Sequence, residues 1–204
     1  MKRAFSRIKG TRLQQGGWCF CFHHTRKALL GLIAWISIAV LTTGCSKENA
    51  HSTFSRKYRV YFTCDLNQPP FNQTTSPGRF VSIRINMGTG LLDMKDLDGN
   101  TFNRPVSQSE SKVFHMGLSG IILGTPTLGN DAQQIWAYDL GCPICDRESS
   151  RLSLTWDGHA HCPTCKSQFD LNNGGTVLSS TATKVRPLYR YPVNPYGTSV
   201  TVAN

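Results

Sequence analysis

Four cysteines in the C-terminal half of the chain fall into two C-P-x-C pairs, Cys142/Cys145 and Cys162/Cys165, with sixteen residues between the pairs. A thiolate is a strong ligand for soft metal ions, and a C-x2-C turn brings both of its sulfurs to the same side. Two such pairs at this separation have the ligand spacing of a zinc ribbon. Pro143 and Pro163 stiffen the turns by fixing φ. The spacing predicts that all four thiols converge on one metal centre. Two other readings stay open. Thiols pair readily outside a reducing compartment, so structural disulfides are one. A redox dithiol is the other, but it needs a helix directly after the motif to lower the first thiol's pKa. "DRESSRLSLTW" turns instead into a strand pattern, and "KSQFDLNNGG" runs into turn residues.

Other residues with chemical potential are sparse. Cys64, in "YFTCD", reads as a core thiol on a strand. His159 and His161 flank the second pair, but four sulfurs already complete a tetrahedron, so both read as strand-surface histidines. His115 stands isolated and takes no role. No Ser-His-Asp set, paired carboxylates or open metal position argues for catalysis, and no enzyme is expected.

The elements that must hold these thiols read as β. "YRVYFTCD" alternates, and "RFVSIRIN" places Val81, Ile83 and Ile85 on one face with Ser82 and Arg84 on the other. "SGIILGT", "QIWAYDL", "RLSLTW", "GTVLS", "RPLYRYPV" and "TSVTVA" read as further short strands, separated by Gly and Pro. "NQPPFNQTTSPG" is loop, and "DLDGN" carries an Asp-Gly turn signal. No long window after residue 45 has a helical period. The expected fold class is all-β, an antiparallel sandwich or small barrel.

The N-terminus has a different character. Residues 1–44 hold seven Lys/Arg and no acid, so most of the net charge of +10 belongs to this leader. A nucleic-acid partner is therefore not expected from the charge. The apolar run Ala28–Leu41 is fourteen residues, short for a membrane span of about 20 and suited to a signal-peptide core. "LTTGC" resembles a bacterial lipobox, with Leu41 one place early, which implies cleavage before Cys45 and lipidation of its thiol. "TRKALL" resembles a twin-arginine export motif with Lys27 in place of the second Arg; the general secretory route is the simpler reading. "WCFCFHH" lies in the discarded leader. The domain reading is thus signal peptide 1–44, lipid-anchored tether 45–57, β domain 58–203, and a metal-binding subdomain at 141–170. The expected location is the bacterial cell envelope, on the outer membrane or periplasmic face, with the membrane as a partner through Cys45.

Set together, "QIWAYDLGCPIC", "HAHCPTCKSQFDLNNGG" and "PLYRYPV" resemble a Rieske-type domain of the envelope-lipoprotein kind. That family carries C-x-H and then C-P-x-H-G-S-x-F-D, a Gly-rich turn and a tail. Here Ser167, Phe169 and Asp170 follow Cys162 in register, and Gly174-Gly175 fit the turn. The resemblance implies an antiparallel β base carrying a small rubredoxin-like, zinc-ribbon-like subdomain. A Rieske centre holds one iron by two Cys and the other by two His. In this chain Cys165 takes the second His position and Cys145 the first, one residue further on. Lys166 stands where the family has Gly. Four thiolates leave three centres open: zinc as a structural ion, which is preferred because it needs no assembly machinery outside the cytoplasm; mononuclear iron; or a 2Fe-2S cluster. The iron centres would imply electron transfer to a redox or envelope protein partner.

Overall fold

The computed structural model describes residues 54–127 and 134–204. The expected signal peptide, Cys45, the expected tether up to residue 53 and the apolar run at 28–41 lie outside the described residues. Among the described residues no helix is long and apolar enough to cross a membrane.

The fold is all-β and antiparallel, in three sheets. Its strands are β1 (Val60–Asp65), β2 (Phe80–Asn86), β3 (Leu91–Asp96), β4 (Thr101–Pro105), β5 (His115–Met116), β6 (Ile121–Gly124) and β7 (Trp136–Asp139). They continue with β8 (Ser153–Leu154), β9 (His159–His161), β10 (Gln168–Asp170), β11 (Thr176–Ser179), β12 (Arg190–Tyr191), β13 (Val193–Tyr196) and β14 (Ser199–Ala203). A six-stranded sheet runs β12-β7-β6-β2-β3-β4, and a four-stranded sheet runs β13-β14-β1-β5. A small sheet, β11-β10-β9-β8, carries the second cysteine pair between β9 and β10. It extends to Ser179 at the end of β11.

The six-stranded sheet is covered on both faces around β6 and β7, and this decides the sequence pattern there. One face, with Val81, Ile83, Leu92, Ile121, Leu123 and Ala137, packs on Val60, Phe62, Val200 and Val202 of the four-stranded sheet. These two sheets form the sandwich. The opposite face, with Phe80, Ile122, Trp136 and Tyr138, packs on Ala160, Phe169 and Leu171 of the small sheet and its flanks. Consequently β6 and β7 are buried at every position and lose the alternation of a half-exposed strand. β1 and β14, the central strands of the four-stranded sheet, keep it, with buried and less buried residues in turn. Val81 and Ile83 face inward as the alternation predicts, and Ile85 packs at the edge of the same core. Cys64 is buried in that core, as read from the sequence.

Two features escape the periodicity. The Asp-Gly turn joins β3 to β4; β3 alternates, with Leu92 and Met94 buried, but its run is short and broken by charges, and β4 offers only the half-buried Phe102. A one-and-a-half-turn helix, α1 (Gln108–Val113), starts at a capping box: Ser107 Oγ accepts from the Glu110 N–H at 3.2 Å, and Glu110 accepts from the Ser107 N–H at 2.9 Å. It buries none of its side chains, so no apolar stripe announces it.

Residues 54–57, which the sequence reading places in the tether, lie against the base. Phe54 bridges Arg190 as a parallel strand contact, and the Ser55 N–H donates to the Arg190 carbonyl at 2.7 Å. The Arg190 guanidinium also lies over the Trp136 ring at 4.2 Å.

Candidate metal centre

The two cysteine loops repeat one backbone design. The Cys142 carbonyl accepts from the Asp146 N–H at 2.8 Å, and the Cys162 carbonyl accepts from the Lys166 N–H at 2.9 Å. Each turn closes in the left-handed region, with φ of 54° at Asp146 and 58° at Lys166. The Cys142 N–H in turn donates to the Ser150 carbonyl at 2.8 Å, and the Cys162 N–H to the Ser167 carbonyl at 2.9 Å. The first cysteine of each pair is fully buried and the second half-buried, so a buried and a rim sulfur come from each loop.

The four Sγ atoms all lie within 4.8 Å of one another. The separations Cys142–Cys165 and Cys145–Cys162 are 3.6 and 3.8 Å, and both run between loops. A tetrahedron with metal–sulfur bonds of about 2.3 Å has edges of about 3.8 Å. The separations are far beyond a disulfide bond of about 2.05 Å. The donor set therefore fits one metal ion, held as the spacing predicts. Among the described residues these four cysteines form the one such group of His, Cys, Asp or Glu. His159 and His161 stand apart from it on β9, and His159 Nδ1 lies 2.8 Å from an Asp157 oxygen.

The surroundings tune the four thiols unequally. Burial pushes Cys142 well up, against the N–H groups of Cys145 and Ile144, which favour its thiolate. Burial also raises Cys145. At Cys165 burial is outweighed by the Ser167 hydroxyl, 3.2 Å away, and its N–H, and the thiol is pulled down to about 7. Ser167 is itself fully buried and held by Ser180 Oγ at 2.8 Å. Loading a metal on these sulfurs must release protons, Cys142 and Cys145 each giving up one.

Two polar anchors fix the first loop to the base, and the sequence reading found neither. Asp139, at the end of β7, is fully buried. It accepts from the N–H groups of Leu118 and Gly141 at 2.6 Å each, from the Ser119 N–H at 3.3 Å, and from the Tyr191 hydroxyl at 2.6 Å. Burial raises its carboxyl to about 6 against these donors. The Gly141 bond sets the chain one residue before Cys142. A side chain at Gly117 would strike the Asp139 carboxylate and the Tyr191 hydroxyl, and φ there is 69°, so the position requires glycine. The second anchor is Asp146, which accepts from the Tyr58 and Tyr189 hydroxyls at 2.7 and 3.0 Å and pairs with Lys57. Lys57 is 89 residues distant in sequence, and no local signal marks the pair.

Lys166 adopts the left-handed backbone that glycine would hold without strain. Gly175, at φ 73°, packs close to Leu188 and Tyr138, which accounts for the glycine turn after β10. Set against known proteins, the chain matches no family model and no curated protein sequence.

Proposed function

We propose that this chain is an exported, lipid-anchored protein of the bacterial envelope, Rieske-like in fold and not an enzyme, whose four cysteines hold one zinc ion in a structural role. One observation carries the choice of centre. All four sulfurs lie within 4.8 Å of one another, with two contacts near the edge of a single tetrahedron. A cluster of two irons divides its thiolates two and two, and the iron–iron separation spreads the halves apart. The compact set supports one ion. Zinc saturated by four thiolates has no redox chemistry and no open position, so it would cross-link the two loops and set the tip of the domain. Cys45 would supply the anchor after cleavage of the leader.

A second reading is a mononuclear iron site that passes single electrons to a docked partner. It is favoured by the half-buried Cys145 and Cys165, which leave one sulfur edge near the surface.

Metal analysis and a visible spectrum of the purified chain test both. One zinc per chain with no visible absorbance is expected. Iron with sulfur-to-iron charge-transfer bands would replace the structural reading with the electron carrier. Metal-free protein with two disulfides would remove both. Separately, Cys45→Ala is expected to abolish acylation and membrane retention; acylation that persists in this variant would sink the anchor assignment.

A further inference from the structure

The small sheet covers the outer face of the six-stranded sheet only in part. Over β3, β4 and the end of β2 that face carries polar residues in cross-strand rows, among them Arg84–Asp93–Asn103 and Lys95–Thr101. The flank of the first cysteine loop, at Leu140 and Arg151–Leu152, stands beside this floor and closes a cleft of about 380 Å³. That is within the range of small-ligand sites, about 300–1,000 Å³.

The charges in the cleft are unbalanced. Arg84 is matched by Asp93 at 2.8 Å. Lys95 and Arg151 make no ion pair among the described residues. The Nε of Arg151 is also buried with no acceptor. A buried donor without an acceptor is rare in folded proteins and marks a place where an acceptor belongs. Arg151 is half-buried and its position is fixed by the bridge to Gly141.

We propose that this cleft binds a small organic carboxylate, with Arg151 as its anchor. A guanidinium presents parallel N–H donors that match the two oxygens of a carboxylate. Lys95 supplies a second positive charge from the floor, and Thr101 and Asn103 supply hydrogen-bonding groups beside it. Leu140 and Leu152 give the organic part an apolar wall. Inorganic phosphate has no organic part to cover that apolar wall, so it is disfavoured relative to an organic carboxylate. The site is formed by the protein's own side chains and does not depend on which metal the cysteines hold.

Titration calorimetry on the metal-loaded full chain, at constant ionic strength, tests the site with succinate, inorganic phosphate and neutral succinamide. Saturable binding of succinate is expected, with phosphate at least fivefold weaker and no binding of succinamide. Arg151→Gln is expected to weaken succinate at least tenfold, and Arg151→Lys to restore little of it, because an ammonium lacks the fork. Lys95 is exposed, so Lys95→Gln reads the site without touching the cysteine loop; a loss of about threefold is expected. Absence of saturable succinate binding to the unmodified chain would overturn the proposal. So would unchanged affinity in the Lys95 variant together with the Arg151 variant at full metal content. Phosphate binding tighter than succinate would overturn the carboxylate assignment.

Discussion

Tyr191→Phe probes how the base positions the first cysteine loop. It removes one hydroxyl and leaves the ring in the core, where Tyr191 is fully buried. The lost bond is 2.6 Å long and ends on the Asp139 carboxylate. A hydrogen bond to a charged group contributes about 1.5–3 kcal/mol net. Three backbone donors stay on Asp139 in the variant, so the carboxylate is not stripped of partners. The larger cost of an unpaired buried charge, about 3–5 kcal/mol, is therefore not expected. Urea unfolding at pH 7.5 of Tyr191→Phe, Asp139→Ala, the double variant and the parent chain closes a cycle that isolates the pair. The expected coupling is about 1.5–3 kcal/mol, with a fall in melting temperature of roughly 2–4 °C per kcal/mol for a domain of this size. The pH dependence has a fixed sign. The tyrosine bond favours the ionised carboxylate, so its removal raises the Asp139 pKa further above about 6. Its contribution is present above that value and declines as pH falls through it. The penalty of Tyr191→Phe should thus be smaller at pH 5.5 than at pH 7.5. A coupling below about 0.5 kcal/mol, or a penalty that grows on acidification, would refute the anchor as described.

Three further outcomes follow from the same geometry. Metal affinity, measured by cobalt competition, should rise with pH through the neutral range, because Cys142 and Cys145 are pushed up by burial and must lose protons to bind; a flat profile would count against thiolate ligation. The two left-handed turn residues should respond oppositely to glycine. Lys166→Gly relieves the backbone and should leave the melting temperature level or higher, while Asp146→Gly also removes the contacts to Lys57, Tyr58 and Tyr189 and should lower it. Cys64, raised to about 12 by burial, should resist alkylation in the native protein after metal removal while Cys165 reacts, as mass spectrometry of the labelled peptides would show.

The sequence by itself determined the ligand set, because the chemistry is local. A C-P-x-C turn carries its own geometry, and the doubling of the motif at a fixed separation names all four sulfurs. It also determined the all-β class and the inward face of β2, since alternation is written into neighbouring residues. It missed β3, although Leu92 and Met94 alternate there with Asp93 and Lys95, and β4, whose inward face offers only Phe102 as a partly buried apolar residue; α1 buries none of its side chains and leaves no stripe to read. The anchors of the site were equally hidden. Asp139 meets Tyr191 across 52 residues and Asp146 meets Lys57 across 89. The first pair forms because β12 lies beside β7 in the six-stranded sheet, and the second because the segment before β1 lies against the first cysteine loop. The tertiary structure also decided how the thiols pair in space. Their two close approaches run between loops, so neither C-P-x-C turn alone defines the centre. A tetrahedron needs its two edges crossed, and only the packing of β7 against the small sheet brings the second edge over the first.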